Sequence, residues 1–177
     1  MNEPISERFA LPARVLHWLM ALLILAMLLI GAGMVSTVSA RYPQLLSWHR
    51  PIGLAILVLA LLRIIVRLTH RTPPLPSDLP ALQVAVAKGS HYVLYLLMIG
   101  VPLIGWAMQS AGGYPVTVWT GFVLFPILPH DVAVYGWLRQ AHGLLAYAFL
   151  LIILGHLGAA LFHGLVRRDG VFRSMTG

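Results

Sequence analysis

The stretch Arg139–His163, RQAHGLLAYAFLLIILGHLGAALFH, decides how the rest of the chain is read. It holds two histidines, His142 and His156, 14 residues apart in an otherwise apolar run. In an α-helix 14 residues rise about 21 Å, and at about 100° per residue they fall only about 40° short of four full turns. The two imidazoles therefore share a face at two heights. The run is long enough to cross a hydrocarbon core about 30 Å thick, where ionisable side chains are costly and default to a functional role.

The composition agrees with a membrane setting. The 177 residues are 59% hydrophobic and only 10% Asp, Glu, Lys and Arg, against about 45–50% and 25% in soluble domains. An ordinary soluble domain and a disordered chain are both excluded. One domain is expected over residues 1–177. Working outward, three more apolar runs of spanning length precede the fourth: Val15–Thr37, Trp48–Arg67 and Gly89–Met108, with Leu138–Val166 as the last. The expected fold class is all-α, an integral membrane four-helix bundle. The absence of cysteine excludes disulfides, iron–sulfur clusters, Cys-ligated zinc and thioether-attached haem.

The net charge of +7 reflects topology rather than nucleic acid, for which there is no basic stripe or binding motif. Arg8, Arg14, Arg63, Arg67, Arg71, Lys88, Arg167, Arg168 and Arg173 fall on one side of the spans, and Arg41, Arg50 and Arg139 on the other. The positive-inside rule puts both termini in the cytoplasm. Trp18 is expected at the inner interface, with Trp48, Trp106, Trp119 and Trp137 at the outer one. The first span also resembles a leader, with Thr37–Ala40 (TVSA) as a cleavage site. Its apolar stretch is longer than a leader needs and contains a histidine used below, so it is expected to be retained. The Pro-rich inner loop Thr69–Lys88 should be irregular. Ala111–Gly136, broken by Pro115, Gly121, Pro126 and Pro129, is too interrupted to span and should lie along the outer face as a lid.

Eight histidines stand out: His17, His49, His70, His91, His130, His142, His156 and His163. His17 opens the first span from the inside and can meet His156. His49 opens the second from the outside and can meet His142. Two facing pairs stacked across the bilayer are what two haems with bis-imidazole iron require, because neutral imidazole binds the metal through one nitrogen and can donate from the other. The iron ligands would be His17, His49, His142 and His156. By the same 14-residue spacing, Arg63 shares a face with His49 at the inner level, where it can pair a propionate. Gly31 shares one with His17 at the outer level. Gly53, a turn from His49, and Gly143, Gly155 and Gly158 would let a flat macrocycle approach, although small residues also serve ordinary helix packing. A metal-ion transporter would want carboxylates nearby, but Glu3, Glu7, Asp78, Asp131 and Asp169 all lie outside the spans.

On depth alone His91 could replace His17 as partner of His156. His91 and His163, with Lys88 one turn from His91, could bind or protonate a quinone near the inner haem. Solvated interface histidines are the plainer alternative. His70 and His130 read as surface residues.

These pieces resemble the bacterial cytochrome b561 family, small di-haem proteins of the inner membrane that share a fold with the cytochrome b subunits of nickel–iron hydrogenases. The resemblance rests on the order of RVLHWLM, SWHRPIG, LLRIIVRLTHRTPP, GSHYVLYLLMIGVPLIGWAM, GGYPV and the final RQAHGLLAYAFLLIILGHLGAALFH. It implies that His17, His49, His142 and His156 hold two non-covalent b haems, which resolves His17 against His91, and that His91 and His163 match an inner-side quinone region. One branch of the family takes electrons from superoxide outside and passes them to ubiquinone, so a superoxide:ubiquinone oxidoreductase in the inner membrane is the implied activity. Arg41, Arg50 and Arg139 would give the outer mouth a positive field, although ordinary anchoring at the interface is the plainer reading of them. The alternative is a haem-bearing membrane anchor that relays electrons for a redox protein partner such as a hydrogenase or dehydrogenase.

Overall fold

The computed structural model describes residues 8–118 and 121–177. Glu3, Glu7 and Trp119, used above, lie outside them. Four long helices dominate: α1 (Leu11–Val35), α2 (Arg41–Thr69), α3 (Ala81–Ala111) and α4 (Val132–Leu161). All four are long and apolar enough to cross a membrane. An even number of crossings puts the N- and C-terminal segments at one end of the bundle and the α3–α4 connection at the other. These are called below the termini end and the lid end.

Each helix outruns the apolar span read from the sequence, because polar interfacial residues continue the backbone hydrogen bonding past the hydrocarbon. Two boundaries correct the sequence reading. The Pro-rich loop ends at Pro80 rather than Lys88, since Pro80 fits the cap before α3 and nothing in Ala81–Lys88 breaks a helix. At the lid end α4 begins at Val132, six residues before Leu138. There Asp131 Oδ1 accepts the N–H groups of Ala133 (2.8 Å) and Val134 (3.0 Å) as an N-cap.

Helix α1 packs along α2 and α3 along α4, and α2 joins the two hairpins through α3. The core lies midway along the bundle and draws on every helix: Met20 and Ile24, Ile56 and Ala60, Leu97 and Met98, and Phe149. Outside it, Leu22, Leu29, Leu96, Leu144 and Leu151 are exposed. Helices that are apolar all round suit lipid as their solvent.

The lid carries a small antiparallel hairpin, β1 (Val116–Thr117) with β2 (Val123–Leu124). Trp106 Nε1 donates to the Phe125 carbonyl (3.1 Å), the Ile127 N–H donates to Ser110 Oγ (3.1 Å), and the Asp131 N–H donates to the Ala111 carbonyl (2.9 Å). The end of α3 thus holds the lid. At the opposite end, α4 widens into a π-helical turn, Phe162–Arg167, and a short α5 (Val171–Thr176) follows. Helix α5 returns to the start of α1: the Phe9 N–H donates to the Ser174 carbonyl (3.1 Å), Arg14 Nη2 to that of Thr176 (2.8 Å) and Trp18 Nε1 to that of Met175 (3.2 Å).

Ala60 is fully buried (0% exposed) where α2 meets the core, whereas its neighbour Leu61 is 49% exposed. Ala60→Leu should overpack this layer and cost about 1–3 kcal/mol, seen as a lower thermal midpoint in detergent. Leu61→Ala should stay within about 0.5 kcal/mol. Equal losses in the two variants would contradict the packing described.

Candidate functional site

Helix α4 carries His142 toward the lid end and His156 toward the termini end. Helix α2 brings His49 to His142, with ring centroids 6.0 Å apart, and α1 brings His17 to His156, at 6.2 Å. Imidazole–metal bonds run about 2 Å and a ring centroid lies about 1.2 Å behind its nitrogen, so two rings on opposite sides of one metal stand roughly 6.4 Å apart. Both separations suit that arrangement. Among the described residues no group of three or more His, Asp or Glu closes around a point that would hold a bare metal ion. A donor set of two neutral imidazoles suits a metal whose remaining ligands come from elsewhere, as a haem supplies them.

The lid-end pair borders a cavity of about 930 Å³, lined by Met27, Gly31, His49, Gly53, Gly105 and His142 among others and reached by Val116 and Leu124 of the hairpin. That volume is at the upper end of the range for pockets that take small-molecule ligands, about 300–1,000 Å³. His142 Nδ1 donates to the Val101 carbonyl (3.1 Å), which leaves the Nε2 lone pair available. Among the described residues, His49 Nδ1 and Arg50 Nε are buried and have no hydrogen-bond partner, as expected of groups that serve a ligand rather than the fold. Arg50 Nη2 donates to Gln109 Oε1, and Gln109 is itself buried. Gly31 lies against the His49 ring, where a Cβ would stand 3.8 Å from Cε1, and Gly53 lies against Met27.

The termini-end pair is arranged differently. Arg63 Nη2 donates to His17 Nδ1 (3.1 Å) and Nη1 to the Ala13 carbonyl (3.1 Å). Arginine cannot accept a hydrogen bond, so His17 Nδ1 is the acceptor and the ring proton sits on Nε2. Metal binding through Nε2 would need Arg63 to release this ring, and a carboxylate brought to this level would give the guanidinium a stronger acceptor. Arg63 thus stands at the level of His17, in contact with its ring. His91 is also here, its ring centroid 5.4 Å from that of His156. Both His17 and His91 neighbour His156, and the His17 separation is nearer the value for opposite ligands of one metal.

His163 is not joined to His91 by any ring contact or hydrogen bond among the described residues. It bonds instead to Asp169, beyond the π-turn. Lys88, His70 and His130 are exposed. Gly143 borders the lid-end cavity, and at Gly143, Gly155 and Gly158 an added Cβ would meet nothing within 4 Å.

Sequence reasoning missed Gly105, where a Cβ would stand 3.1 Å from His142 Cε1 and 3.4 Å from Nδ1. Its signal was available: Val101 and Gly105 share a helix face four residues apart, one giving the carbonyl and the other the room.

The family model for prokaryotic cytochrome b561 matches residues 8–177. The chain belongs to this family. It is 28% identical to cytochrome b561 homolog 2 of Escherichia coli (strain K12), over 99% of this chain and 94% of that protein. It is 32% identical to "Probable superoxide oxidase CybB" of Yersinia pestis, over 90% of each, and 32% identical to cytochrome b562 of Cereibacter sphaeroides, over 72% of this chain and 65% of that one. This b561-family chain is accordingly an integral membrane haem b protein of electron transfer, built as a four-helix bundle.

In Gly105→Ala the new methyl should push His142 off the Val101 carbonyl. Loss of such an outer partner typically weakens metal binding 10-fold or more, so haem b content and the low-spin EPR signal should both fall. Gly136→Ala, at a site with open space in α4, should change neither. A wild-type spectrum for Gly105→Ala would show that His142 does not need this clearance.

Proposed function

We propose that the protein carries electrons across the bacterial inner membrane from superoxide, or another small outer-side donor, to ubiquinone on the inner side, through two bis-histidine b haems. The observation that carries this reading is the pair of imidazole–imidazole separations, 6.0 and 6.2 Å, at two levels of one helix. His49 with His142 would hold the outer haem and His17 with His156 the inner one. When bound, the haems supply one-electron redox chemistry. The chain's own residues supply position, access and protons.

Two further features support the direction. Arg41, Arg50 and Arg139 lie at the lid end, where a positive mouth steers an anion, and the printed name of the Yersinia relative points to superoxide. At the termini end, proposed as cytoplasmic, His91 stands beside His156 with Lys88 exposed one turn away and His163 at the π-turn. These three residues would serve a quinone that takes up two protons with two electrons. A second reading, an anchor that relays electrons for a redox partner, is favoured only by the exposed lid side chains Phe122, Val123 and Phe125.

A pyridine haemochrome assay should return two haems per chain. His49→Ala or His142→Ala should remove mainly the outer haem, and His17→Ala or His156→Ala mainly the inner one. An inner site emptied by His91→Ala and not by His17→Ala would reverse the pairing. His91→Ala or His163→Phe should leave both haems bound and reducible, while ubiquinone-1 reduction falls about tenfold, or roughly 1.4 kcal/mol of transition-state stabilisation. Unchanged quinone turnover in both variants would move the acceptor site elsewhere.

A further inference from the structure

We propose that Asp169 is a positioning residue for His163: its carboxylate holds the Nδ1–H of the imidazole and so presents Nε2 to the quinone. This rests on the reading above that quinone is reduced at the termini end.

In a regular α-helix, a residue six positions on lies about 240° around the axis and cannot reach back. Here the chain departs from the α-helix at Phe162. The π-turn closes with the Arg168 N–H on the His163 carbonyl (2.8 Å), a five-residue step. Arg168 then takes a left-handed conformation (φ 53°), which non-glycine residues adopt at a cost. The reversal places Asp169 Oδ2 2.6 Å from His163 Nδ1. π-turns and strained backbone gather at functional sites because the energy they cost must be returned by what they position.

The carboxylate is itself fixed. Arg167 Nε donates to the same Oδ2 (2.9 Å), Arg167 Nη2 donates to Asp78 in the α2–α3 loop (2.7 Å), and the Val171 N–H donates to Asp169 Oδ1 (3.3 Å). The His163 and Asp169 side chains are 18% and 12% exposed, whereas Asp78 is 70% exposed. Burial pushes the Asp169 carboxyl up, but the hydrogen bonds from His163, Arg167 and Val171 outweigh it and hold the group below the usual carboxylate range. Asp169 thus stays ionised at neutral pH. Other charged groups do not offset this pairing: Arg173 on α5 and Lys88 on α3 are exposed, and His91 faces His156. The Phe162 ring meets His163 edge-on.

A carboxylate on Nδ1 fixes which nitrogen faces the substrate and stabilises the imidazolium. Reduction of one quinone consumes two electrons from the outer donor and two protons from the termini side. His163 passes an Nε2 proton to a quinone oxygen, remains hydrogen-bonded to the Asp169 carboxylate as neutral imidazole, and regains its proton from solvent.

The test uses the purified, haem-loaded protein and ubiquinone-1. Asp169→Asn keeps an acceptor for Nδ1–H but removes the charge. It should leave haem content and haem reducibility unchanged, lower kcat about tenfold at neutral pH, and move the alkaline limb of the rate–pH profile lower, because the site loses a fixed negative charge. Asp169→Glu should recover part of both. ¹⁵N-histidine NMR should find the His163 proton on Nδ1 in wild type, independently of turnover. A wild-type rate and profile in Asp169→Asn, with His163→Phe impaired, would overturn the role of Asp169 and leave the quinone reading intact. An unimpaired His163→Phe would likewise overturn the role of Asp169, and unchanged turnover in His91→Ala as well would overturn the quinone reading itself.

Discussion

A neutral imidazole among apolar helices has two nitrogens to satisfy and little around it to satisfy them. Most of what is specific about this bundle answers that constraint. His142 spends one nitrogen on the Val101 carbonyl, and Gly105 leaves the ring room to reach it. His17 takes a hydrogen bond from Arg63. His163 gives one to Asp169. His49 has a buried nitrogen with no partner among the described residues, at the edge of the lid-end cavity. Three helices contribute the four facing histidines, and the remaining helix, α3, contributes the carbonyl and the clearance behind one of them.

The two levels are not equivalent. The lid-end pair borders a roomy, mainly apolar cavity that the hairpin reaches, and His142 has a backbone carbonyl as its outer partner. The termini-end pair is crowded by a guanidinium and a third imidazole, and Trp18 meets the His17 ring edge-on at 5.3 Å while holding the last turn of the chain. The start of α1 and the C-terminal α5 are therefore part of one local structure around His17. The lid is tied to α3 in the same manner, through Trp106, Ser110 and Ala111.

What was legible in the sequence is what periodicity controls. Apolar run length gave the four helices, and the 14-residue spacing put His142 and His156 at two heights of one helix, where the structure has them beside His49 and His17. Periodicity fails where the helix itself changes. The π-turn at Phe162–Arg167 and the left-handed Arg168 bring Asp169 onto His163, and no regular helix would predict that contact. The loop boundary at Pro80 and the early start of α4 depended on caps, which a span search by hydropathy does not weigh. The four-residue spacing of Val101 and Gly105 was visible, but not that the ring they serve comes from another helix, 37 positions on from Gly105. The choice between His17 and His91 as neighbour of His156 could not be made from depth, since both are at that depth.

Phe149 is the one buried residue of α4, two turns from His142 and two turns from His156. With Met20, Ile24, Ile56, Ala60, Leu97 and Met98 it forms an apolar layer, edged by Tyr95, that separates the two histidine levels. Such a layer offers hydrated protons few stepping stones, while electron tunnelling does not need any. Charge passed between the levels would therefore travel without a compensating proton and would work directly with or against the transmembrane potential, at about 2.3 kcal/mol per 100 mV for a full crossing. The packing of one aromatic ring in the middle of the bundle thus bears on whether the molecule is electrogenic.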